Sequence, residues 1–221
     1  TRYPLVTGVQ TCALPIYATF GDIVLASDVT IDTGTGAGNI VIAGITGATN
    51  ALTLISGSGT TTVSGVVGGV TTLTLQENAS SSTGAVTFQD DVTATTITTF
   101  AQPYAVSLLG NATIGSATTF QNTGAIQLGD DANDFLQFSG ALNTTAGSGT
   151  TLGGTIRSVN AAMTLDEVTL VANTVLRSGS GTMTIASVTD GAGAYSLTLG
   201  TVAQTGAVTI NGNVTISKQI G

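Results

Sequence analysis

Short runs in which apolar residues alternate with Thr or Ser recur along most of the chain. Clear examples are Asn-Ile-Val-Ile at 39–42, Thr-Met-Thr-Ile at 182–185 and Val-Thr-Ile at 214–216. Alternation with a period of two predicts short β-strands with one buried face. Thr, Val and Ile are stiff at χ1 and pack well on a pleated surface, whereas the intervening Gly and Asn favour tight turns. The pattern therefore predicts an all-β chain.

Two families of repeats are superimposed on this pattern. The first runs from a Gly-small-Gly turn to an apolar-Thr-apolar strand, and the offset from turn to strand is the same in the first three copies and slightly longer in the fourth. The second reads Thr-Gly-Ala-apolar-polar-apolar. Its successive copies are separated by nearly two and then nearly four times the length of a single repeating unit. In the first family the turns begin at Gly36, Gly57, Gly147 and Gly179, and the strands that follow them begin at Leu52, Leu73, Met163 and Leu197, respectively. The copies of the second family begin at Thr83, Thr123 and Thr205. One repeating unit of about 20 to 21 residues accounts for both families.

A unit of this length cannot bury its apolar face alone, because its strands are too short for stable hairpins. Stacking successive units in register solves this problem. The sequence therefore predicts a parallel β-solenoid with coils of about 20 to 21 residues, each holding two or three short strands. Neighbouring coils should lie about 4.8 Å apart, so that roughly ten coils form a rod near 48 Å long.

The first sixteen residues differ in character from the rest. They contain Cys12, the single cysteine, together with two of the three prolines. Residues 6–16 resemble a translation of the index-side adapter used in short-read DNA sequencing. We therefore interpret residues 1–16 as a non-native, adapter-derived segment and exclude them from the fold. Residues 17–221 are expected to form a single repeat array, an internal fragment of a larger protein.

The charge balance narrows the possible partners. The chain has 4 Lys and Arg residues against 12 Asp and Glu residues. So few cations cannot neutralise a phosphate backbone or hold the chain on anionic lipid, which argues against nucleic-acid binding and membrane attachment. No apolar run reaches the length of a membrane span, so no membrane insertion of this segment is expected. Without Cys12 the chain lacks cysteine, as befits an exported protein stabilised without disulfides.

The repeats also resemble a known family. Residues 64–75 and 205–215, including Thr-Gly-Ala-Val-Thr-Ile at 205–210, are similar to the degenerate β-strand repeats of filamentous-haemagglutinin-like exoproteins and autotransporter passengers. The resemblance covers nearly all of the chain after residue 16. It implies a right-handed parallel β-helix, export across the outer membrane of a Gram-negative cell, and adhesive or structural work at the cell surface or in secreted form. Host-cell or matrix glycans and other surface proteins are the partners it implies.

Carboxylates are the main candidates for chemistry. Asp90 and Asp91 follow one copy of the second repeat family, and Asp130 and Asp131 follow another at the matching position. Stacked coils would place the two pairs on one edge, about 10 Å apart, slightly beyond the carboxyl separation of an inverting glycosidase. The third copy carries Asn-Gly-Asn at 211–213, and Asp, Asn and Gly are what a strand-terminating turn requires. The turn interpretation is therefore preferred over catalysis.

Calcium binding is the alternative for the cluster of Asp130, Asp131 and Asp134, because clustered oxygen ligands suit that ion. The cluster lacks EF-hand spacing, and the glycine-rich repeat of calcium-binding β-rolls is missing from the sequence. We therefore predict no metal site and no cofactor, and keep these three residues as a weak calcium candidate.

Nucleophilic catalysis lacks its usual groups, since the chain has no His and its native part no Cys. The separation between Arg157 and Arg177 equals one predicted coil, which indicates that they stack on neighbouring coils. Their simplest role is to pair with the carboxylates Asp166 and Glu167. No catalytic residue is predicted.

Thr-rich stretches, such as residues 60–62 and 95–99, raise the hypothesis of an ice-binding face. Such a face needs Thr at the same place in nearly every coil, whereas in the sequence the Thr-x-Thr element changes position. The leading expectation is thus a non-enzymatic structural or adhesive stalk, with glycoside hydrolysis and ice binding as alternatives. Cut coils at both ends would also allow end-to-end self-association.

Overall fold

The computed structural model describes residues 17–76, 82–200 and 203–217, so the predicted adapter-derived segment lies outside the described residues. In these ranges the regular structure is entirely β-strand, and the paired strands are parallel. The coils stack into a β-solenoid of about nine turns, which confirms the predicted all-β class and architecture. The strands are β1 (Ala18–Val24), β2 (Val29–Asp32), β3 (Ile40–Thr46), β4 (Leu52–Ile55), β5 (Thr61–Val63), β6 (Val67–Leu75), β7 (Ala85–Phe88), β8 (Val92–Thr98), β9 (Ala105–Leu108), β10 (Ala112–Ile114), β11 (Thr118–Thr119), β12 (Ile126–Leu128), β13 (Phe135–Phe138), β14 (Leu142–Asn143), β15 (Thr150–Ser158), β16 (Met163–Arg177), β17 (Met183–Thr189), β18 (Leu197–Leu199), β19 (Val208–Ile210) and β20 (Val214–Thr215).

Each complete coil contributes strand segments to three faces, and the longer strands bend from one face to the next. Face 1 is defined by the register partners Ala18, Ile40, Thr61, Val86, Val106, Ile126, Thr150, Val168, Val188 and Val214. Face 2 is defined by Ile23, Ile45, Val67, Val92, Ala112, Leu136, Ile156, Leu176 and Leu199. Face 3 contains two paired runs, which are Val29, Leu52, Leu73 and Ile97, and then Thr118, Leu142, Met163, Met183 and Val208.

Coil length varies around the predicted value. Four of the nine steps along face 1, such as Val86 to Val106, have the predicted length. The shortest step runs from Thr150 to Val168, and the longest runs from Val188 to Val214. Most strand pairs stay in register, so most of the extra residues lie in the corners that join the faces, which we call corners 1–2, 2–3 and 3–1. Register shifts between Val67 and Val70 of β6, and between Leu152 and Gly154 of β15, take up the others.

The interior of the solenoid is filled by the side chains at the inward-facing positions of the strands. Leu, Ile and Val supply most of it, and the larger rings fill single coils. Phe88, Phe120 and Phe138 are fully buried, as expected of coil fillers, whereas Phe135 is 38% exposed. Tyr104 was not anticipated as a core residue: it is fully buried, and its hydroxyl donates to the Leu75 carbonyl at 3.1 Å. Burial raises the pKa of Tyr104 to about 12, so the tyrosine remains neutral in the core.

The glycine turns of the first repeat family stack as the sequence predicts. The backbone N–H of Ser58, in the second turn, donates to the carbonyl of Gly36 in the first at 3.0 Å. A Cβ atom built on Gly59 would overlap the backbone of Gly38 directly beneath it. Both turns lie at corner 3–1, between β2 and β3 and between β4 and β5. Glycine is required at position 59 because successive backbones approach closely there.

Later copies of the repeats lie at other corners, which corrects the assumption that all copies stack. The turn at 179–181 lies at corner 2–3, because it joins the face 2 end of β16 to the face 3 start of β17. The copy at 205–210 forms β19 on face 3, whereas the copies at 83–88 and 123–128 form β7 and β12 on face 1. The separation between the last two copies is therefore not four whole coils. The three faces are alike enough in shape that one sequence motif fits more than one of them.

A glutamine from an adjacent coil closes the Ser-Gly-Ser-Gly turn at two places in the solenoid, and it is buried at the first and partly buried at the second. Gln76, from the coil above, accepts from the backbone N–H groups of Ser56 and Gly57 at 3.0 and 3.1 Å and donates to Ser56 Oγ at 2.8 Å. Gln204 makes the equivalent bonds to Ser178, accepting from its N–H at 2.9 Å and donating to its Oγ at 2.8 Å. The same bonded unit thus occurs at corner 3–1 and at corner 2–3.

Replacing Gln76 by Leu should lower the free energy of unfolding by about 2 to 3 kcal/mol, since two buried N–H groups lose their acceptor. Chemical denaturation monitored by circular dichroism measures this loss. Gln121→Leu is the matched control, because Gln121 is an exposed side chain at the same corner. Equal losses in the two variants would contradict the role assigned to Gln76.

Candidate functional site

The predicted carboxylate pairs lie on one edge of the solenoid. Asp90 and Asp91 follow β7, and Asp130 and Asp131 follow β12, so both pairs are at corner 1–2. The face 1 register places these pairs two coils apart, which corresponds to about 10 Å along the rod. The sequence-based placement is therefore correct. The corner between them is formed by Gly110 and Asn111.

Side-chain oxygens at this edge tie successive coils together. Asp91 Oδ1 accepts from the backbone N–H of Asn111 at 3.1 Å and from Asn111 Nδ2 at 2.9 Å. Asn111 Oδ1 in turn accepts from the backbone N–H of Phe135 in the next coil at 2.9 Å. These bonds satisfy corner N–H groups that the strand ladder leaves without a partner. The edge therefore has a structural role that the sequence alone did not show.

Other carboxylates of the edge shape their own turns. Asp90 Oδ1 accepts from the backbone N–H of Asp91 at 2.8 Å, and Asp131 Oδ1 accepts from that of Asn133 at 2.7 Å. Asp134 Oδ2 accepts from the N–H groups of Asp130 and Asp131 at 2.9 and 2.8 Å. Bonds from a short acidic side chain to nearby backbone N–H groups are characteristic of turn residues. These contacts support the turn interpretation.

The carboxyl group of Asp130 has a shifted pKa. Partial burial, and then the negative charge of Asp134, raise the pKa of Asp130 above its ordinary value. A raised pKa is useful to a general acid, but partial burial and the nearby carboxyl groups of one loop produce it without any catalytic partner. The shift alone therefore does not define an active site.

The weak calcium candidate gains no support from the geometry. Within residues 17–76, 82–200 and 203–217, no three His, Cys, Asp or Glu side chains are placed to hold one metal ion. Asp131 and Asp134 each direct an oxygen to backbone N–H groups, as described above. The loop at 130–134 is therefore built by hydrogen bonds among its own residues.

The third member of the predicted set does not lie on the edge. Residues 211–213 follow β19 on face 3 and precede β20 on face 1, so they are at corner 3–1. The sequence comparison that equated them with Asp90 and Asp130 is wrong, because it assumed that every copy of the repeat occupies the same face. The interpretation of the aspartates at corner 1–2 as turn residues therefore depends on the hydrogen bonds that they form themselves.

The two arginines stack as predicted, but the expected carboxylate partners lie elsewhere. Arg157 and Arg177 are register partners at the end of face 2. Asp166 and Glu167 lie between the face 3 and face 1 segments of β16, at corner 3–1. The proposed pairing of the arginines with these carboxylates is therefore wrong.

Outward threonines form columns that the sequence did not reveal. On face 3 the outward register positions are Thr30, Thr53, Thr74 and Thr98, followed in the second run by Thr119, Asn143, Thr164, Thr184 and Thr209. Threonine thus occupies the same place in nearly every coil, even though its spacing along the chain is irregular. The variable length of the corners conceals this column in the sequence. The changing position of the Thr-x-Thr element argues against an ice-binding face, but this reasoning does not apply to single Thr residues.

No family model, curated protein or solved structure matches this chain. Nor does the described part of the chain include a helix with the length and apolar character needed to cross a membrane.

Proposed function

We propose that the chain is a non-enzymatic stalk segment of a large bacterial surface or secreted protein, which holds an adhesive region away from the cell. The observation that carries this proposal is the continuous stacking from Ala18 to Val214, in which each coil pairs with the next. Nine steps of about 4.8 Å give a rod of about 43 Å from this segment alone. Each added coil would extend such a rod without altering the coils already present.

The hydrogen bonds of the corners also favour a mechanical role. Asp91, Asn111 and Gln76 each use side-chain atoms to hold a neighbouring coil, so polar groups that an enzyme would direct to a substrate serve the scaffold instead. The resemblance to filamentous-haemagglutinin-like and autotransporter repeats supports the same role, with location at the outer membrane or in secreted form. Glycans and other surface proteins are the partners proposed for the complete protein.

A polysaccharide cleavage assay tests the non-enzymatic part of the proposal. The chain should release no reducing ends from a panel of neutral and acidic polysaccharides. The matched variant changes Asp90, Asp91, Asp130 and Asp131 to Asn. Cleavage by the original chain that this variant loses would overturn the proposal and establish the glycoside hydrolase alternative.

The Thr column of face 3 favours ice binding as a second candidate function. A flat array of hydroxyl and methyl groups repeating about every 4.8 Å can order water at a surface. Inhibition of ice recrystallisation measures this activity. If face 3 binds ice, Thr74→Lys will abolish inhibition, whereas Thr169→Lys on face 1 will retain it. Lack of inhibition by the unmodified chain would exclude this candidate.

A further inference from the structure

The described residues contain two cationic side chains, and these two lie side by side. Arg157 and Arg177 are register partners on adjacent coils. Their backbones are therefore about 4.8 Å apart, and their side chains leave the same face of the sheet. Like charges on directly paired residues destabilise a sheet. In a chain with net charge −8, such a placement of two cations calls for an explanation.

The column to which the arginines belong provides no compensating charge. Gln137 is the register partner of Arg157 in the coil below. Leu176 pairs with Leu199, which places Gly200 next to Arg177 in the coil above. A neutral amide and a glycine therefore flank the two guanidinium groups along the rod. The acidic pair nearest to them in the sequence, residues 166–167, lies at a different corner.

Arg177 also has an unsatisfied donor. Its Nε–H is buried and has no hydrogen-bond partner among the described residues. A buried donor of a charged group that lacks a partner is unfavourable, and native proteins rarely keep one without a reason. The described residues thus leave this donor of the guanidinium group without a partner.

The two side chains open into a recess at corner 2–3. The recess has a volume of about 230 Å³, and it is lined by Arg157, Asn160, Arg177, Gly179, Ala203 and Gln204. Gln204 and Asn160 accept from the backbone N–H groups of Ser178 and Ser180, which fixes one wall. Apart from the two arginines, the described residues that line the recess are uncharged, so these residues present positive charge at one side and neutral surface elsewhere.

We propose that this recess binds the carboxylate or sulfate group of an acidic sugar. Arginine presents its N–H donors in a planar fork that matches such oxyanions, and two forks on adjacent coils can hold one anion between them. The neutral walls at Asn160, Gly179 and Ala203 would face the uncharged part of the sugar ring. This inference goes beyond the stalk role, and the cleavage assay tests the non-enzymatic part of that role independently.

Titration with defined probes tests the site in the intact chain. The probes are sodium glucuronate and sodium sulfate at constant ionic strength, with glucose as the neutral comparison. Both anions should shift the Arg177 Nε–Hε resonance in a saturable manner, and glucose should leave it unchanged. Saturation by glucuronate alone would assign the ligand to sugar acids, and saturation by inorganic sulfate alone would overturn the proposal of a sugar ligand.

Two variants separate a specific site from general charge attraction. Arg157→Gln keeps the Arg177 reporter and should weaken binding by about tenfold or more, because one charge-assisted fork is lost. Thr30→Glu makes the same change in net charge at an exposed position of the first coil, several coils from the recess, and should change the affinity less than about twofold, as expected for a screened charge.

The proposal fails if neither anion gives a saturable shift. It fails equally if glucose matches glucuronate, or if Arg157→Gln and Thr30→Glu weaken binding to the same extent. Circular dichroism of each variant establishes that the solenoid is intact, so that lost binding is assigned to the recess.

Discussion

Replacing Gly59 by Ala is expected to lower the free energy of unfolding by about 3 kcal/mol or more, as overpacking against rigid backbone does. The added Cβ atom would overlap the carbonyl group of Gly38, which belongs to the backbone of the coil beneath. Backbone in a stacked ladder cannot move aside without breaking its own hydrogen bonds. For a chain of this size the loss corresponds to a fall in melting temperature of roughly 10 °C.

Gly36→Ala is the control for this prediction. Gly36 belongs to the same repeat family, but a Cβ atom built on it meets nothing within 4 Å. Thermal unfolding of this variant should therefore match that of the unmodified chain to within about 2 °C, as for surface substitutions in general. Similar melting temperatures for Gly59→Ala and Gly36→Ala would show that the close contact between coils does not exist.

Phe138→Ala should have an effect of comparable or larger size. Phe138 is fully buried and lies on face 2, where its ring fills the interior of a single coil. Truncation of a buried Phe removes apolar contacts and leaves a cavity, which typically costs about 3 to 5 kcal/mol. A narrow solenoid has few side chains that could move into that cavity. Denaturant unfolding measures the loss.

Phe135 in the same strand provides the comparison. Its side chain is 38% exposed, so Phe135→Ala should cost less than about 1.5 kcal/mol. The two substitutions remove the same group from one short strand. A larger loss for Phe135→Ala than for Phe138→Ala would mean that the strand presents its other side to the core.

Local alternation was sufficient to predict the class of fold. The alternation in runs such as residues 39–42 and 182–185 indicates which side chains point inward. Strands this short can bury those side chains by stacking on neighbouring coils. The adjacency of Arg157 and Arg177 followed in the same way from their separation. Both predictions depend on spacing within regular coils, where the period of the strand and the length of the coil are fixed.

The predictions that failed depend on the corners. Corner length varies from coil to coil, so the repeat copies that begin at Gly179 and Thr205 lie at a different corner or face from the earlier copies. For the same reason Asp166 lies at a different corner from Arg157, and the predicted pairing between them does not form. The Thr column of face 3 was concealed for the same reason. In each case the outcome depends on which residues of neighbouring coils are register partners, and a single sequence does not reveal this register.

The glutamine units could not be predicted because their atoms come from different coils. Gln76 and Ser56 are 20 residues apart, and Gln204 and Ser178 are 26 apart. A signal is nevertheless present in hindsight: both turns read Ser-Gly-Ser-Gly, and both are followed by a Gln about one coil later. Buried polar residues in repeat corners therefore merit a search for a partner one coil away.

The central claim is that each coil lies directly over the next in the stated register, and cysteine cross-linking tests it most directly. Thr53 and Thr74 are outward register partners on face 3. Their Cα atoms should be about 4.8 Å apart, within the range that a disulfide can bridge. Thr72 lies two residues away on the same face, which places it about 8 Å from Thr53, beyond that range.

The measurement compares two double variants, each in a chain that also carries Cys12→Ser. Under mild oxidation, Thr53→Cys with Thr74→Cys should form an intramolecular disulfide nearly completely, whereas Thr53→Cys with Thr72→Cys should remain reduced. Mass spectrometry under non-reducing conditions gives both yields. Failure of the first pair to cross-link, or equal yields for the two pairs, would contradict the stacked solenoid.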